Sequence, residues 1–142
     1  MRISDVLRRK GDVVVTIQPH DTVRALLDAL AEHKVGALVV AGADGGVEGI
    51  VSERDVVRHL QARGAGVLEE QVSTIMTSPV HTAEPATTLD ELMVLMTERR
   101  IRHVPVVVDE RLTGIISIGD VVKHRIEELQ SERDQLTAYI QQ

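Results

Sequence analysis

A repeated string is the feature of this sequence that most restricts its fold. The string GIVSERDVVRH at residues 49–59 returns as GIISIGDVVKH at residues 114–124, an offset of 114 − 49 = 65. Two further matches occur in the same order: TIQPHDTVRALLDAL (16–30) with TAEPATTLDELMVLM (82–96), and ISDVL (3–7) with VSTIM (72–76). Three ordered matches predict two tandem copies of one folding unit.

Each copy is predicted to fold as strand, helix, strand, strand, helix. A short apolar strand, VVVTI or PVHTA, precedes a helix start rich in Thr. Apolar residues then recur at i, i+3, i+4 and i+7, which is typical of a helix with one buried face: Val23, Leu26, Leu27 and Leu30, and Leu89, Leu92, Met93 and Met96. A hairpin and a second helix complete the unit. Because each small sheet leaves one apolar face uncovered, we predict an α+β fold of two pseudo-twofold-related units packed through their sheets.

The same reading divides the chain into a first unit (1–62), a linker (63–71), a second unit (72–128) and a C-terminal helical extension (129–142). Apolar residues in the last helix follow heptad steps: Val122, Ile126, Leu129, Leu136 and Ile140. Roughly two to three heptads do not hold an isolated helix together in water. This helix is therefore predicted to pack either on its own chain or on a second chain.

Composition argues against nucleic acid as the main partner. The 16 Lys and Arg residues against 22 Asp and Glu residues give a net charge of −6. Phe and Trp are absent and Tyr139 is the one Tyr, so stacking platforms for bases are lacking. The basic string RRIRH (99–103) is the one feature that a nucleic-acid interpretation could use. We also expect no membrane partner and a cytoplasmic location, because no long apolar run, signal-peptide core or Cys is present.

Motifs for catalysis or metal binding are missing from the sequence. The six His residues have no recognised ligand spacing, and His59 and His124, which are equivalent in the repeat, are predicted to lie on helix surfaces. Neither a Gly-x-Ser-x-Gly elbow nor a phosphate-binding P-loop occurs. We therefore expect no catalytic residue, no metal ligand and no catalytic cofactor.

The Ser-x-x-Asp pairs, Ser52 with Asp55 and Ser117 with Asp120, stand where a predicted strand passes into a helix. An Asp carboxylate can accept hydrogen bonds from a ribose diol, and a helix N-terminus with a nearby guanidinium, such as that of Arg54, suits a phosphate. The preceding glycines, Gly49 and Gly114, would let a ligand approach the backbone. The same spacing is also that of a helix capping box, which needs no ligand. Position alone leaves both interpretations open.

The duplicated order of elements, with Gly-apolar-apolar-Ser-x-x-Asp closing each unit, resembles the cystathionine beta-synthase (CBS) domain pair, or Bateman module. The resemblance covers the chain from Ile3 to the mid-120s. The strings MTERRIRHVPVV, GIISIGDVVKH and QLTAYIQ are similar to those of small stand-alone CBS-pair proteins. The resemblance implies a homodimeric, non-catalytic sensor of an adenosine-containing ligand, which modulates a partner protein. AMP, ADP and ATP are the implied ligands, with NAD and S-adenosylmethionine as further candidates.

The resemblance also implies which residues line the two clefts between the repeats. The Ser and Asp positions would contact ribose and phosphate, and a cation would come from Arg54 in one site and from Arg102 or His103 in the other. The base would lie near the first strand of a repeat, beside His103 and Pro105. The full predicted set is Thr16, Ile17, Ser52, Arg54, Asp55, Thr82, Ala83, Arg102, His103, Pro105, Ser117 and Asp120. The alternative is a constitutive interaction scaffold of the same fold, with empty clefts and Ser-x-x-Asp acting only as caps.

Overall fold

The computed structural model describes residues 1–11 and 13–141. The first half of the chain contains α1 (Ile3–Lys10), β1 (Thr16–Ile17), α2 (Val23–His33), β2 (Ala37–Ala41), β3 (Val47–Ser52) and α3 (Glu53–Arg63). Two 3-10 helices follow, Ala65–Glu69 and Val72–Thr74. The second half contains α4 (Leu89–Arg99), β4 (His103–Val108), β5 (Arg111–Ser117) and α5 (Ile118–Ile140). Helices are thus combined with two small sheets, which confirms the predicted α+β class.

The two sheets are unequal in size. In the first sheet β1 runs parallel to β2, which pairs antiparallel with β3; the second sheet is the antiparallel pair of β4 and β5. The first strand predicted for each copy is shorter than expected, two residues in the first copy and a single bridge from Ala83 to Val106 in the second. Just before this segment of the second copy, Thr77 pairs with Ile50 of β3 in the first repeat.

Threonine caps and apolar faces define the two central helices. Thr22 Oγ1 accepts a hydrogen bond from Ala25 N at the start of α2, and Thr88 Oγ1 accepts one from Glu91 N at the start of α4, both at 3.1 Å. Such caps satisfy backbone N–H groups that have no partner within the helix. The predicted apolar faces are confirmed, since their leading residues are buried: Val23, Leu26 and Leu30 in α2, and Leu89, Leu92 and Met96 in α4.

Each repeat completes its core with the lead-in segment of the other. Helix α1 places Ile3 and Val6, both fully buried, in the core of the second repeat. Val72 and Ile75 lie in the core of the first repeat, where Val67 of the segment between the repeats is also buried. Backbone hydrogen bonds secure both segments, from Ile3 N to Thr87 O at 2.9 Å and from Val72 N to Asp21 O at 2.8 Å. The two repeats are therefore interlocked, and the division of the chain at 62, 72 and 128 stays a prediction.

The repeats also meet at both ends of their sheets. Leu112 N donates to Gly45 O at 3.5 Å at the hairpins, and a Cβ added to Gly36 would come 4.0 Å from His103 Cε1 at the opposite end.

The prediction that His124 lies on a helix surface is wrong, because His124 lies on the face of α5 that packs on the second repeat and is 3% exposed. Among the described residues, no helix is both long and apolar enough to cross a membrane.

Candidate functional site

Each Ser-x-x-Asp motif lies at the junction of a strand and a helix. Ser52 ends β3 and caps α3; its Oγ accepts from Asp55 N at 3.3 Å, while Asp55 Oδ2 accepts from Ser52 N at 2.8 Å. Ser117 and Asp120 repeat this geometry at α5, with distances of 3.2 and 2.9 Å. The capping-box interpretation is confirmed at both positions. Within the described part of the chain, the Oδ1 atom of each carboxylate accepts no hydrogen bond, so a cap leaves acceptor capacity for a ligand.

A cleft of about 320 Å³ opens beside the first motif and is called the first cleft below. Its walls come from the N-termini of α3 and α5, the turn after α4 and the first residues of β2, so both repeats contribute. Five of the sequence-predicted residues line it together: Ser52, Arg54, Asp55, Arg102 and His103. The volume lies within the range of small-molecule sites.

Four arginines line the first cleft: Arg54, Arg58, Arg100 and Arg102. Two carboxylates, those of Glu53 and Asp55, also line it, which leaves a formal charge of 4 − 2 = +2. In the described part of the chain, no ion pair involves any of these four guanidinium groups. Guanidinium groups bind phosphate with two parallel hydrogen bonds. The cleft therefore favours an anionic ligand.

His103 links the first cleft to the second motif. It begins β4, where it lies opposite Ser117 in the strand register, and its side chain lines the first cleft. Burial lowers the pKa of His103 below its ordinary value of 6.5, and the nearby positive charge of Lys10 lowers it further. The imidazole is consequently neutral at neutral pH, when it offers one hydrogen-bond donor and one acceptor.

The second motif carries an ion pair that the first does not have. Lys10 Nζ, at the end of α1, donates to Asp120 Oδ2 at 2.6 Å and to Ile115 O at 2.8 Å. Burial alone would raise the pKa of Asp120. The hydrogen bonds from Lys10 and from the Ser117 backbone, with the charge of Lys10, outweigh that effect and lower the pKa. Asp120 is therefore ionised and already paired with a cation.

The glycines that precede the motifs are approached by protein rather than left open for a ligand. A Cβ on Gly49 would lie 2.6 Å from Met76 Sδ, and one on Gly114 would lie 2.6 Å from Leu7 Cδ2. Met76 and Leu7 are equivalent residues of the two lead-in segments. The absence of a side chain at each glycine makes room for the lead-in of the other repeat, so the prediction of a close ligand approach at these glycines is wrong.

The other sequence-predicted residues lie outside the first cleft. Ile17, Ala83 and Pro105 are buried in strands or beside them, while Thr16 and Thr82 are exposed. Ser117 and Asp120 form the second motif and do not line the first cleft. These positions stay predictions for a base or for a second ligand.

Sequence reasoning missed several cleft residues. Arg58 had a usable signal, because it stands four residues after Arg54 and so shares its face of α3. Arg100 stands in the basic string RRIRH, but it was not assigned to the cleft; it follows α4 with a positive φ of 54°. The described residues include no group of three or more His, Asp or Glu placed to hold a metal ion.

Comparison with known proteins points to one family. The model of the CBS domain matches residues 3–62 and 72–127. The CBS domain-containing protein CBSX3, mitochondrial, of Arabidopsis thaliana is 38% identical over 98% of this chain and 71% of its own length. A CBS-domain containing protein from Agrobacterium tumefaciens has a similar structure, with a TM-score of 0.85 and 47% identity over 88% of this chain and 99% of its own.

A more distant similarity concerns a structure with ligands. The CBS domain pair of protein MJ0100, solved in complex with 5'-methylthioadenosine and S-adenosyl-L-methionine, has a TM-score of 0.81. It covers 90% of this chain and 98% of its own, at 22% identity. At that identity the similarity establishes the shared fold.

Proposed function

Since the chain belongs to the CBS domain family, we propose that it is a non-catalytic regulatory protein that binds an adenosine-containing ligand between its two repeats. The observation that carries this proposal is the first cleft, where the Ser52 and Asp55 motif of one repeat faces arginines of the other. MJ0100, a protein of the same fold, was solved with two adenosine-containing ligands.

Two groups of residues in the first cleft would bind two different parts of the ligand, its ribose and its phosphate. Asp55 would accept hydrogen bonds from the ribose diol through Oδ1, while its Oδ2 stays in the helix cap. The N-terminus of α3 and the four arginines would hold phosphate oxygens. His103 would meet the ligand as a neutral group. The bases of AMP and of ATP are the same, so the arginines decide between ligands through phosphate charge.

A phosphate-bearing ligand fits the first cleft better than S-adenosylmethionine does. The sulfonium of S-adenosylmethionine is cationic, and a cleft with a formal charge of +2 from Arg54, Arg58, Arg100, Arg102, Glu53 and Asp55 repels it. AMP, ADP, ATP and NAD all carry negative charge there. Of the candidates, we place ATP and ADP first because they bring the most charge to the arginines.

Regulation would follow from the position of the first cleft between the repeats. A ligand that contacts both Asp55 and Arg102 binds best to one relative placement of the two repeats. It can shift the population of placements only by its difference in affinity for them. A partner protein of unidentified class would read that difference. No step of bond making or breaking is required of the chain.

We also propose a homodimer, with α5 as part of its interface. The apolar stripe of α5 is 48–78% exposed at Val122, Ile126, Leu129, Leu136 and Ile140. Its spacing is that of a helix seam, which buries apolar surface against a second helix. A second copy would supply an identical stripe. A cytoplasmic location stays a prediction, since the Arabidopsis relative is described as mitochondrial.

The second candidate function is an interaction scaffold without a ligand. The observation in its favour is that each capping box is complete, because Ser and Asp satisfy each other in both motifs. Such a protein would use the α5 stripe or another outer surface to bind its partner all the time.

Thermal unfolding with AMP, ATP, NAD and S-adenosylmethionine separates the two candidates. A ligand at a hundredfold excess over its Kd stabilises the folded state by about 2.7 kcal/mol, which raises Tm by roughly 5–10 °C for a chain of this size. We expect the rise with ATP, and its loss in Asp55→Asn. A flat Tm with all four compounds would contradict the sensor and favour the scaffold.

A further inference from the structure

The two Ser-x-x-Asp motifs are alike in backbone geometry and differ in what else reaches the carboxylate. Asp55 Oδ2 accepts from Ser52 N and Ser52 Oγ at 2.8 and 3.1 Å, and Asp120 Oδ2 accepts from Ser117 N and Ser117 Oγ at 2.9 and 3.0 Å. Lys10 Nζ makes a third contact to Asp120 Oδ2, at 2.6 Å. Within the described part of the chain, Asp55 has no ion-pair partner. The two carboxylates therefore differ by one contact, the ion pair of Lys10 with Asp120.

Lys10 is held in place by its helix. Helix α1 is anchored by the buried Ile3 and Val6, and Arg9 Nη1 bonds to Glu127 Oε2 of α5 at 3.0 Å. The ammonium of Lys10 also donates to Ile115 O at 2.8 Å. The Lys10 side chain is 33% exposed and that of Asp120 is 20% exposed, so solvent screens the pair only partly. The contact is a built feature of the packed chain rather than a chance meeting of two mobile side chains.

The equivalent position in the other lead-in cannot supply a cation. Pairing Ile3 with Val72 sets Lys10 opposite Pro79, because 10 + 69 = 79. The first cleft instead has Thr77 from that lead-in, and its arginines leave the Asp55 carboxylate open. The difference in ion pairing between Asp55 and Asp120 thus comes from the lead-in segments.

The ion pair changes what Asp120 can bind. Asp120 Oδ2 already accepts three donors, whereas its Oδ1, like that of Asp55, accepts none in the described part of the chain. A ribose diol that donates to Oδ1 would compete with the Lys10 ammonium for the negative charge of the carboxylate, and a neutral hydroxyl is the weaker partner of that charge. Asp55, which accepts from its own cap alone, meets no such competitor.

We propose that Lys10 determines how many ligands the chain binds: by pairing with Asp120 it withholds the second motif from ribose, so that one adenosine-containing ligand binds per chain, in the first cleft. This inference rests on the proposed function. It makes Lys10 an occupancy-determining residue, remote in sequence from both motifs.

Calorimetric titration with ATP tests this inference through stoichiometry. The wild-type chain is expected to bind one ATP per chain, and Lys10→Ala to bind two, because Asp120 is then free. Arg9→Ala is the matched control, since Arg9 is a neighbouring cation of α1 that bonds to Glu127 and not to Asp120. It should bind one. The double variant Lys10→Ala with Asp120→Asn should return to one, which assigns the added site to Asp120. Circular dichroism of each variant verifies its fold.

Three results would overturn the inference, and they separate it from the proposed function. One ATP bound by both wild type and Lys10→Ala would refute the role of Lys10 and leave the sensor intact. Two ATP bound by the wild type would also refute the inference. If the second ATP then bound more weakly to Lys10→Ala than to the wild type, Lys10 would be a ligand contact instead. No binding of AMP, ATP, NAD or S-adenosylmethionine by either chain would overturn the sensor and the inference together.

Discussion

Ile50 and Thr77 exchange two backbone hydrogen bonds, from Ile50 N to Thr77 O at 3.0 Å and from Thr77 N to Ile50 O at 2.8 Å. The first residue belongs to β3 of the first repeat, and the second follows the lead-in segment of the second repeat. This pairing brings Met76 against Gly49, where an added Cβ would lie 2.6 Å from Met76 Sδ and 3.0 Å from Thr77 O. Interlocking of the repeats thus depends on a glycine at position 49.

Gly49→Ala is expected to destabilise the protein. Its methyl group would meet a backbone oxygen that the strand pairing holds in place, and overpacking of this kind costs about 1–3 kcal/mol. Urea denaturation measures the change in the free energy of unfolding. Gly66→Ala is the control, because a Cβ there has nothing within 4 Å, and we expect a change of less than about 1 kcal/mol. Equal losses in the two variants would contradict the interlocking account.

Arg58→Met is expected to weaken the binding of ATP more than that of adenosine. The guanidinium would contact phosphate, and a hydrogen bond to a charged group contributes about 1.5–3 kcal/mol, or roughly tenfold or more in affinity. Titration calorimetry with ATP and with adenosine gives, for each compound, the ratio of the Kd of Arg58→Met to that of the wild type. Arg63→Met, on the same helix but bonded to Glu70, should change neither. An equal loss for adenosine and ATP would mean that Arg58 does not contact phosphate.

The lowered pKa of His103 predicts that the protein becomes less stable against unfolding in mild acid. Because burial and the charge of Lys10 lower its pKa in the folded state, the unfolded chain takes up this proton first as the pH falls. The free energy of unfolding should therefore decline below the ordinary His pKa of 6.5. Measuring it at several pH values for the wild type and His103→Gln isolates this contribution from the other His residues. The two curves should converge as the pH falls; a constant separation would refute the prediction.

Leu129→Glu is expected to convert a dimer into a monomer. Leu129 is 48% exposed within the apolar stripe of α5, and a carboxylate facing its own copy across a seam is both buried and repelled. Light scattering after size exclusion gives the mass directly. The control is Gln130→Glu, one position along and off the stripe. If the wild type is a monomer, or if both variants remain dimers, the proposal that α5 forms part of a dimer interface is wrong.

Periodicity and the internal repeat were sufficient to predict α2 to α5 and the fold class, whereas α1 was not predicted as a helix. The i, i+3, i+4, i+7 pattern predicted the buried faces of α2 and α4, and the spacing of Ser-x-x-Asp gave a capping box at α3 and α5 as one of two interpretations. These features are local, so their signals lie within one or two turns of chain.

Features that depend on distant parts of the chain could not be predicted from one sequence. Lys10 meets Asp120 across 110 residues, and Thr77 pairs with Ile50 of the other repeat. The burial of His124 is set by packing on the second repeat, whereas its equivalent, His59, is only half-buried. A repeat predicts that two positions are equivalent in sequence, but it does not predict what packs against each of them.

Calorimetric titration of ATP into the wild type and Asp55→Asn tests the central claim most directly. Asn keeps an oxygen that can accept from Ser52 N, so the cap persists while the charge that would bind ribose is lost. Asp28→Asn, an exposed position on α2, serves as the control. The account predicts saturable binding by the wild type and the control, and at least tenfold weaker binding by Asp55→Asn. Equal affinities in all three chains, or no binding in any, would contradict it.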